Sequence, residues 1–552
     1  MQIHNGAVLL QPGERHAAQI RAAIPRTAQG MVQGQLTLAV KHKLEETLVL
    51  RNLGFDIPSP IAYGWKYPGM YAPRDNQRHT SAFMTLHKRA YILSEMRVGK
   101  TYSALWGAEY LLQEGFIRRV LVVCPKSCMH DVWENALFEC LPHRSSIILH
   151  GDRNKRLSNL AKDTDFCIIN HDGITALSKE VTKGKSTKMV CEELLDQFDL
   201  IIYDEADVLC NHRTKLYKAF ESLIQPNTWL WLMTGTPTPN QYADAWGLLK
   251  LVVREVVYQG RRVNSWTKFR ELVMYRINQY KWGNKYGSKD ILFELMQPAI
   301  RFTKAQCFDA KEVKPEYRTS EMTTEQKKAY WQMQKDGKVS RGEDDPSVVA
   351  KNAAVKLAKL LQISMGAVKD EFEQKVSFDS RHRLNTLKEV LHEAGVKPYD
   401  ASNEEVSKKS IVFMPYKYTM EDVHAYLTKH GYRCTIVNGD VGDLQRRQRF
   451  AGFKGKESAS LYEVLIAHPE VTAHGLDLTI AESIIWYAPC YGNRLYAQGN
   501  ERIQGAVQKG DPAIFEIVCT KLEKERFEAL KKGSLTQSEL LAMYERACDE
   551  EI

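Results

Sequence analysis

Short runs of consecutive apolar residues, separated by longer mixed segments, set the rhythm of this chain. Within 71–250 they fall at Tyr91–Leu93, Val120–Cys124, Phe166–Ile169, Leu200–Tyr203 and Trp229–Met233. Runs apolar at every position read as strands buried on both faces, and the helical patterns between them read as crossovers. They predict an α/β domain: a parallel sheet covered by helices. The rhythm returns in 380–552, with strands expected at Ser410–Phe413, Thr435–Val437, Val464–Ala467, Ser483–Tyr487 and Phe515–Val518. A second domain of the same architecture is therefore expected there. Between the two, 251–379 is rich in charged and aromatic residues and reads as a mainly helical insertion and bridge. Gly337 to Pro346 within it reads as an exposed loop. Residues 1–70 read as a small accessory module, with a strand at Ala7–Leu10 and a helical stretch from Val40 to Leu53. The tail from Leu522 to Glu550 reads as an amphipathic helical segment.

A chain of 552 residues is too long for one core, which agrees with two large domains. No apolar run reaches eighteen residues, so no membrane span is expected. The N-terminus lacks a basic region followed by an apolar core, so no signal peptide is expected and a cytoplasmic location is. The eleven cysteines are scattered without a CxxC pair, which points to reduced core cysteines rather than a metal site. A net charge of +9 suits a nucleic-acid partner, and suits a plain basic surface almost as well. The motifs must decide.

After the apolar run at Tyr91 comes Ser94-Glu-Met-Arg-Val-Gly-Lys-Thr101, opening a helical pattern. That is a phosphate-binding loop. Backbone N–H groups at a helix N-terminus cradle phosphate, and the helix dipole favours the negative charge. Lys100 is placed for the β- and γ-phosphates and the Thr101 hydroxyl for Mg²⁺. About a hundred residues on, the strand Leu200-Ile-Ile-Tyr ends in Asp204 and Glu205. In this order the two signals indicate binding and hydrolysis of a nucleoside triphosphate, with Asp204 on Mg²⁺ and Glu205 orienting and deprotonating the attacking water.

From about Pro73 to Glu545 the motif order resembles the Swi/Snf-type ATP-dependent DNA translocases of helicase superfamily two, most of all their compact phage-encoded members. The resemblance implies two RecA-like motor domains that hold ATP and Mg²⁺ between them. For a phage protein it also implies the host cytoplasm. Gln77 matches the glutamine that reads adenine, and Met96, Arg97, Val98, Gly99, Lys100 and Thr101 form the nucleotide loop. Arg97 stands where the family usually has Gly, because the backbone there bends tightly. Thr234-Gly-Thr-Pro-Thr-Pro-Asn240 matches the turn that couples the γ-phosphate to the DNA path. Lys126 and Ser127, followed by Trp133, resemble a strand-contacting motif, and Asn170, His171 and Asp172 resemble the next. Arg301 and Lys304 resemble part of the bridge between the motor domains. Thr472, His474 and Gly475 are candidates for DNA contact in the second domain, where Asp477 replaces the family's Asn. Gln498 and Arg502 match the last motif, but Gly505 replaces its second arginine, the usual arginine finger. Arg502 alone, Arg494 or Lys509 are left to fill that role.

The resemblance implies a monomeric motor that travels along double-stranded or branched DNA through phosphate contacts, remodelling forks, junctions or protein–DNA complexes. Two alternatives stay open. One is a strand-separating helicase on DNA or RNA, its wedge hidden in Tyr280-Lys-Trp-Gly-Asn-Lys-Tyr286 or in the N-terminal module. The other is a nucleotide-gated DNA clamp with very slow hydrolysis, motivated by Arg97 and Gly505.

Overall fold

Seven parallel strands form the largest sheet among the described residues of the computed structural model. Their spatial order is Ala299–Ile300, Arg89–Ile92, Trp229–Met233, Leu200–Asp204, Val120–Cys124, Phe166–Asn170 and Ser146–Leu149. The central strands are buried at nearly every position, as strands covered on both faces must be. The structure describes residues 1–183, 186–239, 241–253, 255–278, 282–308, 313–336, 338–339, 348–349, 353–370, 372–400, 407–455, 461–472, 478–503 and 512–532.

The described chain divides into two compact units. The first runs from Met1 to Cys307 and the second begins at Phe308. The passage falls inside the stretch 251–379, and each unit takes one strand from it. Ala299–Ile300 pairs with Arg89–Ile92 in the first sheet, and Glu316–Thr319 pairs with Ala513–Val518 in the second. Short hairpins, such as Met274–Arg276 with Trp282–Asn284, interrupt the helices of this stretch. The second sheet has six parallel strands, ordered Glu316–Thr319, Ala513–Val518, Ser483–Trp486, Ser410–Phe413, Val464–Ala467 and Cys434–Val437.

The N-terminal segment has its own four-stranded antiparallel sheet, with helices Glu14–Ala23 and Leu44–Asn52. A small core of Val8, Leu10, Ile20, Leu38, Val40 and Leu50 holds it together. The helical stretch expected from Val40 needs correction. Val40 lies in the strand Gln35–Lys41, whose inner face it shares with Leu38, and the helix begins at Leu44. Of the expected tail helix, 521–532 is helical and the rest lies outside the described residues, as does most of the loop expected at Gly337 to Pro346. Among the described residues, no helix is long and apolar enough to cross a membrane.

Candidate functional site

Parallel register brings the chemistry to one edge. Ile92 lies opposite Met233, and Met233 lies opposite Asp204. The segments that follow these residues therefore all leave the sheet at its carboxyl edge, where ligands bind in such folds. They are the loop Leu93–Gly99, the turn from Thr234 and the pair Asp204–Glu205. The Thr234 N–H donates to the Ile92 carbonyl at 3.1 Å, joining two of these exits.

The phosphate loop is held on several sides. Gly99 caps the helix Lys100–Gln113 in the left-handed region, at φ 95°. A Cβ there would sit 2.1 Å from the Gln77 amide nitrogen, so Gln77 packs where only glycine leaves room. Gln77 is itself fixed by the Arg74 backbone N–H, which donates to its Oε1 at 2.9 Å. The Asn76 amide and the Arg74 guanidinium both donate to the Val98 carbonyl, at 2.8 and 3.1 Å. The Lys100 ammonium donates to the carbonyls of Ser94 and Glu95, at 2.7 and 2.9 Å. Arg97 has φ 69°, a left-handed conformation that costs any residue with a Cβ and that suits glycine. Met96 lies beside it in the loop, and Thr101 stands in the first turn of the helix.

Segment 298–304 supplies the last support. The Arg301 guanidinium donates to the Leu93 carbonyl at 2.7 Å and pairs with the Glu95 carboxylate at 3.2 Å. The other Glu95 oxygen accepts from the Lys304 backbone N–H at 2.9 Å. Ser94 Oγ accepts from the Phe302 N–H at 3.0 Å. Arg301 and Lys304 are both buried in the first unit, just after the strand Ala299–Ile300 that completes the sheet beside the phosphate loop and shortly before that unit ends at Cys307.

Across the edge, the Trp133 indole donates to Asp204 Oδ2 at 3.1 Å, and His171 Nε2 meets the Asp204 carbonyl at 2.9 Å. The His171 ring stacks on Tyr203. A π-helical turn, Met129–Glu134, carries Trp133 inward, and its side chain is buried in the core. Desolvation of its carboxylate, and then the Glu205 charge, push the Asp204 pKa up from 3.8 to about 6. Lys100, the Trp133 indole and the Glu205 N–H oppose that shift. Glu205 is buried and also left-handed, at φ 53° and ψ 53°. Asp207 is buried in the turn that follows.

Lys126 is exposed and Ser127 half-buried after the strand Val120–Cys124, while Asn170 and His171 follow the neighbouring strand at the same edge. Thr234 is buried, and its Oγ1 accepts from the Thr236 N–H at 3.0 Å. Asn240, His474, Gly475, Asp477, Gly505 and Lys509 lie outside the described residues, as does the Thr472 side chain. In the second unit, Gln498 and Arg502 are both buried, four residues apart across the helix Asn493–Asn500 and the turn after it. In the aromatic insertion, Trp282 packs on Arg270, 3.9 Å from its guanidinium, while Tyr286 is exposed and Tyr280 lies outside the described residues.

The residues present fit Mg²⁺. Thr101 and Asp204 offer a hydroxyl and a carboxylate, the hard oxygen donors that this ion takes alongside substrate phosphates and water. Sequence reasoning missed Arg74, Asn76 and Glu95. Each acts on loop backbone or on a distant side chain, and no local spacing marks such contacts.

Fold and site together define a phosphate-loop nucleotide-binding protein with two parallel-sheet units. The SNF2-related domain family matches residues 72–393, more than half of the chain, and the helicase conserved C-terminal domain matches 383–504. The chain belongs to the SNF2-related family of superfamily-two ATPases. It is 26% identical to the ATP-dependent DNA helicase DDM1 of Arabidopsis thaliana over 180 residues, 33% of this chain and 23% of that protein. It is 23% identical to protein p41 of Acyrthosiphon pisum secondary endosymbiont phage 1 over 448 residues, 78% of this chain and 88% of p41. A solved SWI2/SNF2 ATPase core of Sulfolobus solfataricus in complex with dsDNA aligns with a TM-score of 0.38 at 18% identity, covering 88% of this chain and 97% of that one. The chain spans less than a quarter of the length of the first curated relatives it matches.

Proposed function

We propose that this chain hydrolyses ATP with Mg²⁺ and uses the cycle to translocate on duplex or branched DNA. The observation that carries the reading is the convergence of Lys100, Asp204, Glu205 and Thr234 on one edge of a parallel sheet, around a loop braced on several sides. Lys100 binds the β- and γ-phosphates. Thr101 and Asp204 hold Mg²⁺, which when bound neutralises charge on the phosphates. Glu205 orients the attacking water and takes its proton. Gln77, packed on Gly99, reads the adenine. Arg502, with Gln498, supplies positive charge for the transition state. Lys126, Ser127, Thr236 and Asn240, with Thr472, His474 and Gly475, contact DNA phosphates. Contacts of this kind position the protein without reading sequence. Similarity to an ATP-dependent DNA helicase supports the DNA partner.

The left-handed Arg97 favours one second reading, an ATP-gated DNA clamp that turns over slowly, because strain in the loop opposes phosphate binding in its tightest geometry. Steady-state ATP hydrolysis without nucleic acid, and with single-stranded, duplex and branched DNA and RNA, separates the readings. Translocation predicts stimulation by duplex or branched DNA, falling steeply with salt. Stimulation by single strands or RNA alone would replace it with a helicase. Tight ATP-dependent DNA binding without hydrolysis would replace it with the clamp.

A further inference from the structure

The helix Thr324–Asp336 in the second unit buries Gln326, Ala329 and Met333. On its outer side Trp331 is 71% exposed. A single exposed indole is ordinary on a protein surface, and it is the surroundings of this one that set it apart. Helical spacing surrounds it with charge of one sign. Lys327 and Lys328 stand four and three residues before it and Lys335 four after, the positions that neighbour it on a helix surface. All three lysines are exposed.

Trp331 also forms one wall of an open groove of about 410 Å³, with Met322, Tyr330, Gln334, Lys521 and Glu525 among the lining residues. The opposite wall has a defined place in the fold. Thr520 and Lys521 come directly after the strand Ala513–Val518, at the carboxyl edge of the second sheet. Glu525 is the one carboxylate on the lining, and it lies 3.7 Å from the Lys521 ammonium, which offsets its charge.

The geometry points to a stacking platform for an unpaired nucleic-acid base, its flanking phosphates met by Lys327, Lys328, Lys335 and Lys521. An aromatic face ringed by ammonium groups suits a ligand that is flat and apolar at its centre and anionic at its margins. A nucleotide within a strand is such a ligand, and stacking on tryptophan accepts any base. Paired bases inside a duplex have both faces covered, so the platform takes a base from a single-stranded arm or a junction. This deepens the proposed function and rests on its nucleic-acid partner: it selects branched over continuous duplex DNA.

The test is fluorescence anisotropy on the full chain with three labelled probes: a twenty-residue oligothymidylate, a fork with single-stranded arms, and a duplex closed by loops at both ends. Trp331→Ala should weaken binding to the oligothymidylate and the fork about tenfold and leave the closed duplex within about twofold. Trp331→Phe should recover most of the loss. Equal weakening on all three probes, no weakening on any, or a Phe variant no better than Ala would overturn the platform. So would a change in sedimentation with unchanged DNA affinity, which would give the face to a second copy of the chain. Failure of the unaltered protein to bind any probe would instead defeat the proposed function, and the platform with it. Because Trp331 is on the surface, thermal melting of both variants should match that of the unaltered protein.

Discussion

Two clusters of buried charge, one beside each parallel sheet, are built in opposite ways. In the second unit, Arg383 and Glu523 form an ion pair at 2.8 Å with side chains 1% and 0% exposed. Arg383 also donates to the Ile517 carbonyl and the Tyr487 carbonyl, which lie at or just past the ends of two strands. Glu523 accepts from the Cys519 N–H and from Ser364 Oγ. Every charge there has partners, and the cluster ties strands to helices. In the first unit, Asp204 sits beside another carboxylate and its pKa is pushed up to about 6. Arg97 and Glu205 add left-handed backbone nearby. The satisfied charges belong to architecture. The pair of neighbouring carboxylates beside Lys100 marks the place where a cation and a polyanion are expected to bind.

The comparison breaks first if the first unit's carboxylates prove dispensable. Glu205→Gln should cut ATP turnover by roughly 10²–10⁴-fold, the usual contribution of a positioned general base, while ATP binding persists. Near-normal turnover in a steady-state assay would remove Glu205 from the role. The matching break in the second unit is Arg383→Met. It leaves Glu523 buried without its partner and should cost about 3–5 kcal/mol in denaturant-induced unfolding. A loss below about 1 kcal/mol would show that the cluster is not structural.

A pH series sharpens the contrast. Because the Asp204 pKa is raised from 3.8 to about 6, the folded protein holds a proton that the unfolded chain has already released in that window. Stability from this group is therefore lost as pH rises from about 4 to 6, and stays lost above. Asp204→Asn should match the unaltered protein near pH 4 and exceed it by about 1–3 kcal/mol above pH 6.5, while abolishing Mg²⁺-dependent hydrolysis. Thermal melts across that range check the sign, and a gain that is the same at every pH would refute the linkage.

What could be read from sequence follows the range of the interactions. Central strands are apolar throughout, so Val120–Cys124, Trp229–Met233, Ser410–Phe413 and Val464–Ala467 stand where their patterns put them. Edge strands are covered less. Glu316–Thr319 has mixed residues and no apolar run, Ala299–Ile300 is only two residues long, and the apolar run Ile147–Leu149 is short and only partly buried, so none of the three stands out in the pattern. The N-terminal sheet is antiparallel, and its strand Ala28–Val32 is exposed at every position. At the site, Lys100 and the Asp204–Glu205 pair announce themselves through neighbours in the chain. Trp133 and Arg301 do not, because their partners Asp204 and Glu95 lie 71 and 206 residues away. Trp133 reads locally as part of a strand-contacting motif and Arg301 as part of a bridge, and only the fold shows that one meets Asp204 and the other the phosphate loop.

Arg301 gives a more moderate test. It grips the phosphate loop through the Leu93 carbonyl and the Glu95 carboxylate, and touches nothing expected to react. Arg301→Ala should raise the KM for ATP about tenfold, roughly the loss of one charge-assisted hydrogen bond, with kcat at saturating ATP falling less. Glu95→Gln should act in the same direction. Arg301→Lys should recover part of the effect, since an ammonium reaches one of the two acceptors but cannot reproduce the planar fork. A fall in kcat with unchanged KM would place Arg301 in the chemical step instead of the scaffold.

The smallest expected effect separates strain from chemistry at Arg97. A left-handed arginine costs on the order of 1–2 kcal/mol relative to a relaxed one, and glycine removes that cost. Glycine also gives the unfolded chain more freedom, which returns about 0.4–1 kcal/mol. Arg97→Gly should therefore stabilise the fold by roughly 1 kcal/mol or less in chemical denaturation. Its effect on turnover is the informative part. If the strain holds the loop away from its tightest phosphate geometry, relief should raise kcat/KM for ATP several-fold together with stability. A variant that gains stability and loses turnover would show that the Arg97 side chain itself serves the nucleotide, and the strained residue would then belong with Lys100 and the carboxylates of the first unit's site.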